Sequence, residues 1–180
     1  MTYQMKRCIF LLIGMVSALG LLAQNASLPM ILDIASVEND GREIEVVNIP
    51  QDDVNHYYLH VGTMGIGNSI ISVDIDPVDR LYVPLGENLT DAISKMEELQ
   101  ALYKQPKGTS MLVQASFGPL FPSETLQTVK VTRFQPLLTN YLEFMISQED
   151  YDRVPHVSRA NFNSLLTSVK IYGKIHPKEM

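Results

Sequence analysis

The stretch N-L-T-D-A-I-S-K-M-E-E-L-Q-A-L-Y-K, residues 88–104, decides the fold class. Leu89, Ala92, Ile93, Met96, Leu99 and Tyr103 recur at three- and four-residue spacing, which puts them on one face of an α-helix. Asn88 stands where a side-chain oxygen can cap the first free N–H groups. Glu87 and Asp91 suit the positive end of the helix dipole. Asp91 and Lys95 form an i,i+4 pair, and Pro106 and Gly108 stop the helix.

Strand patterns lie on both sides of this helix. Upstream, residues 31–37 (I-L-D-I-A-S-V) and 43–49 (E-I-E-V-V-N-I) have strand character, with Asp40-Gly41 between them as a hairpin signal. Residues 57–62 (Y-Y-L-H-V-G) read as a strand. So do residues 69–76, where Ile71, Val73 and Ile75 alternate with Ser72, Asp74 and Asp76 before Pro77. Residues 80–85 (R-L-Y-V-P-L) form another, with Pro84 suggesting an edge. Downstream come strand patterns at 110–117, 126–134 and 138–146, then a polar loop at 147–157. Ser158 caps a second helix whose buried stripe is Phe162, Leu165, Leu166 and Val169. Gly173 and Pro177 close that helix, and Lys170, Lys174 and Lys178 make its end basic. Short connections between successive strands demand antiparallel pairing, and strands and helices do not alternate strictly. The expected fold is α+β: an antiparallel β-sheet with two amphipathic helices packed on one face.

The first residues carry the layout of a secretory signal peptide. Lys6 and Arg7 precede an uncharged apolar run from Cys8 to Ala23, too short for the ~20 residues that span a bilayer. Cleavage after Ala23 is expected, leaving residues 24–180 as one domain of ordinary size. The ending L-L-A-Q-N, residues 21–25, resembles the signal peptides of exported Bacteroidetes proteins. That resemblance covers the leader alone and implies export to the periplasm or beyond. Cys8 is the single cysteine, so the cleaved chain holds no disulfide, no thiolate nucleophile and no cysteine-ligated metal.

From residue 24 onward there are 12 Lys and Arg against 20 Asp and Glu, a balance of −8. Nucleic acid is therefore not an expected partner, because its binders concentrate positive charge. The acids crowd the first half: residues 24–100 hold 14 acids and three bases, residues 101–180 six acids and nine bases.

V-G-T-M-G-I-G-N-S, residues 61–69, is rich in glycine, but a phosphate cradle would need a following helix and a lysine. It reads as a connection between strands, and the apolar Met64 and Ile66, with Gly65 and Gly67, make its tip a candidate contact surface. Asp74, Asp76 and Asp79 are a candidate weak calcium site, although the glycine and glutamate of an EF-hand loop are missing. His56 and His60 have zincin spacing, yet on a strand they stand about 13 Å apart. Neither Ser116 nor Ser123 lies in a nucleophile elbow, and His156 has no local triad support. Asp52-Asp53 and Glu149-Asp150 are paired carboxylates only in sequence. No cofactor is expected. The expectation is an exported, non-catalytic binding or structural protein of the bacterial envelope, with another envelope protein as a candidate partner. The alternative is a carboxylate-dependent hydrolase acting through Asp74 and Asp76.

Overall fold

The computed structural model describes residues 29–39, 42–62, 80–118, 121–145 and 155–180. Its elements follow in order as β1 (Leu32–Asn39), β2 (Arg42–Asn48), β3 (Tyr57–Gly62), β4 (Arg80–Gly86), α1 (Leu89–Leu102), β5 (Ser110–Gly118), β6 (Gln127–Phe134), β7 (Tyr141–Met145), β8 (His156–Ser158) and α2 (Arg159–Ile175). Among the described residues, four strands and a helix thus occur twice in succession. Every neighbouring pair is antiparallel, and the spatial order of the strands is their chain order. This is the expected α+β architecture, with both helices packed against an eight-stranded antiparallel sheet.

The sheet is divided at β5. Its first part, Ser110 to Ala115, pairs with β6, and its last part, Ser116 to Gly118, pairs with β4. The sheet also curls, because its two edge strands meet at one corner. Asn39, at the end of β1, donates through Nδ2 to the His156 carbonyl (3.1 Å) and accepts at Oδ1 from the Ser158 amide (3.0 Å). Asn161 Nδ2, on α2, adds a bond to the same Oδ1 at 2.9 Å. One buried amide side chain therefore ties β1, β8 and α2 together.

The caps and buried stripes of both helices are as expected, while Lys95 pairs with Glu98 at 2.8 Å and not with Asp91. Asn88 Oδ1 accepts from the Asp91 amide at 2.8 Å, and Leu89, Ala92, Met96 and Leu99 are fully buried. Ser158 Oγ accepts from the Asn161 amide at 3.2 Å, and Phe162, Leu165, Leu166 and Val169 are buried. These stripes join Ile44, Val46, Leu59, Val61, Leu81 and Val83 from the sheet in one apolar core. Each fully buried aliphatic side chain contributes roughly 1.5–3 kcal/mol. The buried Tyr103 places its hydroxyl on the Val157 carbonyl at 2.9 Å, satisfying its polar end.

Several local expectations change. Gly173 is inside α2, which runs on to Ile175. A Cβ there would meet only Met180 Sδ closely, at 2.7 Å, the end of a flexible side chain that can move aside. Pro84 is on an interior strand, but β4 pairs with β5 only over Arg80–Tyr82, so the proline has a partner strand on one side alone. The 147–157 stretch, expected as loop, ends in the short strand β8. Asp52 and Asp53 are the centre of a tight turn between Gln51 and Val54, with φ of 49° and 65°, conformations that Asp tolerates better than most residues. The expected strand 69–76 and the Asp40-Gly41 turn lie outside the described residues.

Candidate functional site

The site lies on the face of the sheet that the helices leave open. Alternation along β2 sends Ile44 and Val46 into the core and Glu45 and Val47 to the other side. On β3, Leu59 and Val61 point inward and His60 outward; on β4, Leu81 and Val83 point inward and Tyr82 outward. The register then sets Glu45 opposite His60, His60 opposite Tyr82, and Tyr82 opposite Ser116. A polar row crosses four strands.

β1 reaches this face through an irregularity. Asp33 pairs with Val47 and Ala35 with Val46, so Ile34 is an extra residue. Such a bulge switches the side on which following residues project. Ala35 packs with the core, while Asp33 and Ile31 come to the open face. There Ile31, Val47, Ile49, Tyr58 and Tyr82 form a second, smaller apolar cluster.

Together these residues enclose a pocket of about 290 Å³ lined by Ile31, Asp33, Glu45, Val47, His60, Arg80 and Tyr82. Its polar centre is the Glu45–His60 pair. Oε2 stands 2.6 Å from Nδ1, and the side chains are only 12% and 3% exposed. The His60 ring stacks on Tyr82, centroids 5.0 Å apart, and Tyr58 meets Tyr82 edge-on at 6.1 Å.

The electrostatics follow from this packing. The hydrogen bond from His60 holds the Glu45 carboxyl below its usual range against the opposing effect of burial; attraction to His60 and Arg80 adds to the lowering. Glu43 is pushed upward, chiefly by the neighbouring Glu45 charge. Burial pushes the Tyr82 phenol up as well, so it stays a hydroxyl. An ionised Glu45 can only accept, so Nδ1 of His60 donates the shared bond. The ring's Nε2 is buried and has no hydrogen-bond partner among the described residues. So is Ser116 Oγ, but Tyr82 occupies the strand between Ser116 and His60, and no serine–histidine relay is formed.

Of the sequence-derived candidates, His60 lines this pocket. Met64, Gly65, Ile66 and Gly67, and Asp74, Asp76 and Asp79, lie outside the described residues, in the connection from Gly62 to Arg80. His56 uses its backbone amide on Asn48 Oδ1 at 3.2 Å, while His60 is held by Glu45. Among the described residues no group of three or more His, Cys, Asp or Glu is arranged to hold a metal ion. His156 meets Tyr141 edge-on at 5.0 Å and pairs across the sheet with Glu143, which burial pushes upward. Sequence reasoning missed Asp33, Glu45 and Arg80. The only signal for them is polar residues at outward positions of otherwise apolar strands. The chain matches no family model, and no curated protein or solved structure matches it significantly.

Proposed function

We propose that this is an exported, non-catalytic binding protein of the bacterial envelope, and that the pocket on the open face of the sheet is where it takes a small polar ligand. One observation carries the reading: a buried Glu45–His60 pair in the wall of a pocket, its second histidine nitrogen without a partner among the described residues. Orphaned buried polar atoms are uncommon, and each costs about 1–3 kcal/mol. Ligand pockets are lined largely by apolar groups with a few placed polar ones, which is the composition here.

The lining sets the ligand's chemistry. Asp33 and Glu45 offer carboxylate oxygens, Arg80 offers a guanidinium, and Ile31, Val47 and Tyr82 offer an apolar surface. Two carboxylates stand against one guanidinium, which suits a ligand bearing N–H or O–H groups, as amines and polyols do. The leader supports export, and among the described residues no helix is long and apolar enough to cross a membrane.

The test is a thermal-shift screen of amines, polyols and simple anions against the protein and against Asp33→Asn and Arg80→Ala. A donor-bearing probe is expected to raise the melting midpoint of the parent and to lose that effect in the variants. Equal shifts in parent and variants would remove the pocket from the account. Turnover of a hydrolysable polymer, lost in Glu45→Gln, would favour an enzyme instead.

A further inference from the structure

A second feature, independent of the pocket, lies in the connection between β6 and β7. Pro136, Leu137, Leu138 and Thr139 form a tight turn closed by the Thr139 amide on the Pro136 carbonyl at 3.2 Å. Leu137 has φ of +54°. That is the left-handed region, where glycine or asparagine is the usual turn residue and leucine is strained. Both Leu137 and Leu138 are 96% exposed. Folding gains nothing from either choice, since the apolar side chains reach no core and the backbone is strained to hold them out. A local rule broken without a structural return points to function.

The surroundings are cationic. Arg133 Nη2 donates to Gln135 Oε1 at 2.9 Å and to Asn140 Oδ1 at 3.0 Å, clamping the two ends of the turn. Lys107 Nζ lies 5.9 Å from the centre of the Phe134 ring, itself 37% exposed. Arg159 donates its amide to the Asn140 carbonyl at 2.9 Å and shares an open hollow of about 480 Å³ with Leu138, Asn140 and Asn163. Residues 99–123, 125–142 and 159–175 hold no Asp or Glu at all. Glu38, whose carbonyl accepts from Asn161 Nδ2 at 3.0 Å, is the acid that β1 brings to this end.

We propose that the Leu137–Leu138 turn is a membrane-surface contact: the two leucines enter the interfacial region of an anionic bilayer while Lys107 and Arg159 face its headgroup phosphates and Arg133 holds the turn. Charge complementarity identifies this occupant. Apolar side chains ringed by Lys and Arg are the design of peripheral lipid anchors, in which apolar burial and attraction to anionic headgroups add. A bilayer also needs no matching cavity, which suits a narrow two-residue tip.

The experiment is co-sedimentation of the protein with vesicles of phosphatidylcholine alone and of phosphatidylcholine with phosphatidylglycerol. Binding is expected on the anionic vesicles only and should weaken with salt. Leu137→Ser/Leu138→Ser should abolish it, and Lys107→Glu and Arg159→Glu should each weaken it about fivefold. Leu137→Gly, which accepts the backbone conformation and keeps Leu138, should bind with intermediate strength. Melting curves of the variants check that all remain folded. Absence of binding to anionic vesicles, equal binding to neutral ones, or unchanged binding by the double serine variant would each overturn the proposal. So would leucine-dependent capture of another protein without any lipid binding.

Discussion

Glu45 and His60 face each other across β2 and β3 with 2.6 Å between Oε2 and Nδ1, shielded from water on the side of the sheet away from the helices. Removing one partner leaves the other buried and unpaired. Glu45→Gln weakens a charge-assisted bond, and Glu45→Ala deletes it. Expected losses are about 1 and about 2 kcal/mol respectively, because the charged acceptor makes the stronger bond and the orphaned ring bears the desolvation cost. Urea unfolding at neutral pH measures both. Equal stability of all three proteins would show that the pair contributes nothing.

The same bond predicts an acid-side signature. The folded-state pKa of Glu45 is lowered from the ordinary value of 4.5. A lowered carboxylate stabilises the fold above its unfolded pKa, and that stability is lost as pH falls through the lower folded value. Unfolding free energy should therefore drop as pH decreases below about 4.5. The drop should be shallower in Glu45→Gln. Parallel pH profiles for parent and variant would contradict the assignment.

Asn39 closes the sheet at its corner by bonding His156, Ser158 and Asn161. Asn39→Ala is expected to cost about 2 kcal/mol, since it leaves the Ser158 amide and the His156 carbonyl without these partners. Hydrogen exchange should quicken first at the amides of β8. Uniform quickening across the sheet would mean that the corner is not a separate fastening.

A third fastening joins the end of α2 to the core. Glu179 accepts from the buried Tyr57 hydroxyl at 2.8 Å and from the Tyr172 hydroxyl at 3.2 Å, while its carbonyl accepts from the Leu89 amide at 2.9 Å. Glu179→Ala and Tyr57→Phe should each cost about 1–2 kcal/mol. Their double variant should cost less than the two together, because they share one bond. Full additivity in a double-mutant cycle would contradict the contact.

Leu137→Gly should raise stability by roughly 0.5–1 kcal/mol. Relief of the left-handed strain exceeds the added freedom that glycine brings to the unfolded chain. A lower melting midpoint in calorimetry would show that the leucine side chain supports the fold after all.

Most of the fold was legible because its signals are local. The stripes of Leu89 to Leu99 and of Phe162 to Val169 repeat at helical spacing, and Asn88 and Ser158 cap where capping residues should. β8 was not legible: three residues between Pro155 and a helix carry no period, and they become a strand only because β7 and Asn39 lie beside them. Gly173 misled for a related reason. It is a buried position inside α2, and burial by neighbouring segments is recorded in no local pattern. The pocket was the least visible feature. Glu45 and His60 sit on strands that the sequence marks clearly, but their pairing depends on register, and the arrival of Asp33 depends on the bulge at Ile34. Register and bulges are tertiary outcomes.

The most direct test of ligand binding follows the His60 ring nitrogens by nitrogen-15 NMR during titration with amine and polyol probes. The free protein should show Nδ1 protonated, and a matching probe should move the Nε2 resonance saturably, with the effect lost in Asp33→Asn. Ring nitrogens that stay fixed throughout the whole panel, or that move equally in the variant, would contradict a ligand site at Glu45 and His60.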